Sequence, residues 1–198
     1  MSTTAAVTLW GTRIGVVSIY DAGGVATFQY EPGFLDSGIE VAPLTMPLRA
    51  APYSFPALDP DSFHGLPGLL ADSLPDRFGQ ALIDAWLAGR GQVPESFDSV
   101  ERLCYVGRRG MGALEFSPSR GPRRSDSDDL HVAELVELAS DVLSDREGLV
   151  ASLEAGHREQ AMRDILSVGT SAGGARAKAV IAWNPATEVV RSGQVDNL

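Results

Sequence analysis

The 198-residue chain is long enough for one generous domain or two small ones, each able to bury a core. With 44% hydrophobic and 21% charged residues it has the composition of a globular protein, and no apolar run reaches the length of a membrane span. A formal charge of -10 argues against direct nucleic-acid binding, because a duplex-binding surface needs clustered Lys and Arg against the phosphates, so any DNA contact is expected through a partner.

The opening "MSTTAAVTLWG" lacks a basic region followed by an apolar one, which places the expected location in the cytoplasm. The single cysteine, Cys104, can form no internal disulfide and reads as a buried structural thiol. One lysine, Lys178, stands among 16 basic residues.

The first third reads as β structure. "AVTLWGTRIGVVSIY" and "VATFQYEP" are runs rich in β-branched and aromatic residues, broken at Gly11 and at the turn "DAGG" of 21–24, and they predict a small antiparallel sheet. Residues 31–60 carry Pro32, Pro43, Pro47, Pro52, Pro56 and Pro60, with Pro67 just beyond. This stretch should be extended or looped, with "PLTMPLR" as a possible edge strand.

From Asp76 the period changes: Phe78, Leu82, Ala85 and Trp86 predict an amphipathic helix with Pro75 near its start, ended at "AGRG" by Gly89 or Gly91 in the left-handed conformation. A shorter helix is expected in "ESFDSVERLCYVG" and a strand in "GMGALEFSP". The polar stretch "SPSRGPRRSDSDD" (117–129) is the candidate linker, dividing a unit of residues 1–120, a linker of 121–129 and a second unit of 130–198.

Beyond it, Val132, Leu135, Val136, Ala139, Val142 and Leu143 share one face of an expected helix with Asp128 or Asp129 as its N-cap, and a short helix is expected at 158–166. "AKAVIAW", "NPAT" and "EVVRSG" predict two strands joined by a turn. The whole is an α+β protein: a small antiparallel β-rich N-terminal subdomain with helices, and the beginning of a second unit.

One segment has the makings of a phosphate site. A phosphate needs inward-pointing backbone N–H groups, hence small residues, and a nearby cation. "GTSAGGARAK" supplies Gly169, Ala172, Gly173, Gly174 and Ala175, then Arg176 and Lys178. It is neither a Walker A loop nor a dinucleotide fingerprint, and a glycine-rich hairpin connection with no ligand would use the same residues.

Elsewhere, Asp72 and Asp76 read as helix caps rather than a catalytic pair. His64, His131 and His157 are too scattered for a metal site. Arg120, Arg123 and Arg124 are followed at once by "SDSDD" and read as a solvated linker.

"SAGGARAK" resembles the Gly-rich loop of the HipA family of serine/threonine kinase toxins: Ser, two variable residues, then Gly-Ala-Gln/Arg-x-Lys. "FHGLPGLLADSLPDRFG" (63–79) is similar to that family's "LPGLLxDSLPDxxG", and "VGRRGMGALEF" to its "xGRxxxGAL"; the pieces follow the family's order along nearly the whole chain.

The resemblance implies that residues 130–198 begin a kinase-like N-lobe, in which Gly173, Gly174, Ala175, Arg176, Ala177 and Lys178 line an ATP site. It also implies that Ser171 is an autophosphorylation site, whose phosphate would repel those of ATP and eject the loop. Ala177 departs from some relatives at a variable position. By residue chemistry alone, Ser171 could equally stabilise a turn.

The implied cofactors are ATP and Mg²⁺, and the implied partners are a HipB-like DNA-binding antitoxin and a protein substrate such as an aminoacyl-tRNA synthetase. In the family the strand lysine, the catalytic Asp and the Mg²⁺ ligands follow the loop. No catalytic or metal-binding residue is therefore assigned within 1–198, and this polypeptide alone is expected to be inactive. The alternative is a stand-alone regulatory module that restrains a separate HipA-like kinase chain; a remnant of a disrupted gene is a third reading.

Overall fold

A computed structural model describes residues 2–21, 23–110, 112–121, 181–187 and 189–192. Contacts divide the chain into two units: Met1–Leu74 with Glu95–Arg108 and Gly112–Arg120, and Pro75–Pro94 with Arg109–Met111 and Gly121–Leu198.

The first unit is built on an antiparallel meander. β1 (Thr3–Leu9), β2 (Thr12–Ile19) and β3 (Thr27–Tyr30) alternate as a half-buried sheet requires, turning Ala5, Val7, Leu9, Val17, Ile19, Phe28 and Tyr30 into one core. The β1–β2 connection is two residues long, with φ of 48° at Trp10 and 78° at Gly11. A register shift after Val7 leaves Ile14 outside the pairing yet fully buried.

The edge strand of this side is β4 (Tyr53–Ser54), paired with β3. The expected "PLTMPLR" strand is not one. Met46 N–H closes a turn on the Ala42 carbonyl at 2.7 Å, and Pro43 and Pro47 lack the donors that a ladder needs. A one-turn helix, α1 (Pro32–Leu35), opens the stretch and buries Phe34.

Two more one-turn helices follow, α2 (Pro60–Phe63) and α3 (Gly68–Ala71). Then, in the second unit, comes α4 (Arg77–Ala88). Asp76 caps α4 by accepting from Gly79 N–H at 2.9 Å. At the other end Gly91 takes φ 70° while Gly89 stays right-handed. Gln92 N–H donates to the Leu87 carbonyl and Gly91 N–H to that of Ala88, so Gly91 is the left-handed C-terminal residue of a Schellman motif.

Back in the first unit, α5 (Ser99–Val106) starts on a capping box between Asp98 and Glu101 and lays Val100, Leu103 and Cys104 into the core over β1, β2 and β5. β5 (Leu114–Ser117) pairs with β1, giving the sheet order β4-β3-β2-β1-β5. The fold is mixed α+β, as its pattern implies.

In the second unit β6 (Ile181–Asn184) and β7 (Val189–Ser192) form the hairpin expected after the Gly-rich segment. Asn184 Oδ1 accepts from the N–H groups of Ala186 and Thr187 within its turn, at 2.9 and 3.4 Å. The helices expected at 130–145 and 158–166 lie outside the described residues.

Candidate functional site

The residues expected to hold a nucleotide, Gly173, Gly174, Ala175, Arg176, Ala177 and Lys178, and the expected phosphoacceptor Ser171, lie outside the described residues. The hairpin that follows them is present as expected.

The second expected signature, residues 63–79, is described, and most of its residues carry structure rather than chemistry. His64 and Gly65 both have positive φ, 51° and 74°, and they turn the chain after α2. Gly65 carbonyl accepts from Ala26 N–H at 2.8 Å. A Cβ on Gly65 would overlap the Gly24 carbonyl oxygen, so only glycine permits this seat against the β2–β3 connection. Leu66 and Leu70 are fully buried in the core beneath it.

Asp76 is the N-cap that its position suggests. Asp72 is not: its backbone closes the C-terminal end of α3, and it starts no helix. Asp59 is a cap that pattern reading missed. Its carboxylate accepts from Ser62 Oγ at 2.5 Å and Ser62 N–H at 3.1 Å, and the hydroxyl bond chiefly holds its pKa below the usual carboxylate value. The signal was available as Asp-Pro at the start of α2, with Pro60 at its first position.

Cys104 is the buried thiol that the sequence implies. Burial pushes its pKa up to about 11 and so keeps it protonated and unreactive. Tyr30, donating its hydroxyl to the Met46 carbonyl at 2.7 Å, is pushed up to about 12, first by burial and then by Tyr53 and Glu40.

A Pro-rich cover lacks N–H groups, and its carbonyls are met by side chains. Besides Tyr30, Tyr53 hydroxyl donates to the Pro47 carbonyl, Gln29 Nε2 to Ala50 at 3.1 Å, and Arg49 Nη2 to Pro52 at 3.3 Å while its guanidinium sits 3.8 Å over the Tyr53 ring. Arg120, placed in a solvated cluster by composition, instead pairs with Glu101 at 2.6 Å. Arg123 and Arg124 lie outside the described residues.

A family model described as the HipA N-terminal domain matches residues 5–117, from β1 to the last residue of β5. The chain belongs to the HipA family. No curated protein matches the sequence. The match thus takes in all five strands of the sheet except Thr3 and Thr4 of β1, and every helix described above, α4 included. No helix among the described residues is long and apolar enough to cross a membrane.

Proposed function

We propose that this chain is the N-terminal portion of a HipA-like serine/threonine kinase toxin, a cytoplasmic protein of a type II toxin–antitoxin pair. The observation that carries the reading is that a HipA N-terminal domain is followed, in the same chain, by the family's loop pattern from Ser171 to Lys178.

In this reading the backbone N–H groups around Gly173, Gly174 and Ala175 cradle the ATP phosphates. Arg176 and Lys178 offset their charge. Ala177 leaves room at the variable position of the loop, and phosphorylation of Ser171 places nearly two negative charges beside the same phosphates and disfavours their binding. Mg²⁺ and the groups that transfer phosphate belong to the family's later lobe, so residues 1–198 alone transfer none. A HipB-like antitoxin makes the DNA contact, in keeping with the -10 charge of this chain, and the substrate is a protein such as an aminoacyl-tRNA synthetase.

A second reading, with which the match to the HipA N-terminal domain over residues 5–117 is equally compatible, is a regulatory module restraining a separate HipA-like kinase chain. Purification of the tagged chain from its own cells, with mass-spectrometric identification of what co-elutes, separates the two. A small basic DNA-binding protein supports the toxin reading, and a kinase chain supports the module. Recovery of neither in stoichiometric amount contradicts both.

A further inference from the structure

The two faces of the five-stranded sheet differ in charge as well as in burial. One face packs into the core, where the helices of the first unit add Phe34, Leu70 and Leu103. The alternate residues lie on the other face and align across the strands in rows. One row runs Ser54, Thr27, Ser18, Thr4, and the next Gln29, Val16, Ala6, Ser117. A third row, Arg13, Thr8 and Glu115, bounds them, with its charges paired as Arg13–Glu31 at 3.0 Å and Arg108–Glu115 at 3.2 Å.

Every residue of the first two rows is half-buried or exposed, and none is charged. A surface of ordinary composition, about 25–35% Asp, Glu, Lys and Arg, would place about two charges among as many positions. Here Val16 and Ala6, on the central strands, stand among the hydroxyls of Thr4, Ser18, Thr27 and Ser117. Tyr20 and Val25, 72% and 40% exposed on the β2–β3 connection, add apolar surface at the end away from the charged row.

This pattern selects its occupant. A nucleic acid or a basic protein is drawn to charge, which these rows do not present. Two copies of a chain carrying -10 repel each other, least where neither brings a charge to the contact. Hydroxyls both donate and accept, so identical ones can pair across a two-fold axis, as identical charges cannot. We infer that this open sheet face docks on the same face of a second copy of the chain, as an isologous dimer with Val16 and Ala6 near its centre. The contact is made by the first unit alone and holds whatever the Gly-rich segment binds. At about 4.8 Å per strand the face spans only about 20 Å, so the dimer is weak, with a Kd of about 0.1 mM.

Sedimentation equilibrium of the whole chain, from about 10 µM to about 1 mM, tests it. Wild type should fit a monomer–dimer equilibrium. Raising NaCl from about 0.05 to about 0.5 M should tighten association about two- to fivefold, because salt screens the repulsion between the two acidic chains and breaks no ion pair within the two rows. Val16→Glu should weaken association at least about tenfold, since its carboxylate would be buried without a partner. Ser18→Glu, on the neighbouring row, should do the same, and it decides the matter if Val16→Glu does not fold. Leu44→Ser, at a fully exposed turn of the Pro-rich stretch, should change nothing. The dimer is refuted if wild type stays monomeric to about 1 mM, if salt weakens association, if neither charged variant weakens it, or if Leu44→Ser weakens it as much as they do.

Discussion

The meander of β1 to β3 and the Pro-rich cover of residues 31–58 enclose one core by opposite means. The meander satisfies its backbone by pairing strand with strand, and its side chains are left to pack. The cover, broken by Pro32, Pro43, Pro47, Pro52 and Pro56, has no ladder beyond the two residues of β4, so side chains of Gln29, Tyr30, Arg49 and Tyr53 supply the donors that its carbonyls need. Sheet residues can thus change while their pattern is kept. The cover depends on particular hydroxyls.

The largest effects should come from breaking what both regions share. Phe28 is fully buried, 4.9 Å edge-on from Tyr30, and Phe28→Ala should cost about 3–5 kcal/mol by denaturant unfolding. Gly65→Ala should cost about 2–4 kcal/mol, because it adds the left-handed penalty to an overlap with the backbone at Gly24.

Alkaline pH comes next. Cys104 and Tyr30 have raised pKa values in the folded chain, so each stabilises it while protonated. That contribution is complete below pH 9, and it is lost as pH rises through about 11 for Cys104 and about 12 for Tyr30. Stability should fall by about 3 kcal/mol over the cysteine's interval, and Cys104→Ala should flatten the profile between pH 9 and 10, below the range in which Tyr30 contributes.

The sharpest test of the comparison is smaller. Tyr30→Phe leaves the Met46 carbonyl without its donor and should cost about 1 kcal/mol. Gln29→Ala, at an exposed partner of the same cover, should cost less than half of that. Equal costs would mean that burial of the hydroxyl bond does not matter. The smallest effect should be Ser99→Ala, neutral to slightly stabilising in thermal unfolding, because Ser99 Oγ is buried with no hydrogen-bond partner.

The same contrast explains what was legible in the sequence. Alternation in "AVTLWGTRIGVVSIY" is a local property and gives β1, the Trp10–Gly11 turn and β2 directly. Asp76 and Gly91 mark α4 because caps are also local. The cover resists such reading, since its conformation is set by partners 16 and 21 residues away, as in Tyr30 to Met46 and Gln29 to Ala50. Arg120 was misplaced for the same reason: its partner Glu101 is 19 residues back, and composition sees only its neighbours.

Trp10, 79% exposed at positive φ, and Leu44, 96% exposed on its turn, run against the burial that their residue types suggest. Neither carries a period that would have marked it. The Gly-rich loop was legible as a motif, and its function rests on that motif together with the family.

The measurement that tests the functional account most directly is phosphate mapping on the protein as its own cells produce it. After this chain together with the later lobe that transfers phosphate is incubated with Mg²⁺ and ATP, peptides covering Ser171 should carry one phosphate on that serine, and Ser171→Ala should carry none there. Incorporation at other residues with Ser171 unmodified, or no incorporation at all, would contradict the nucleotide role of residues 171–178.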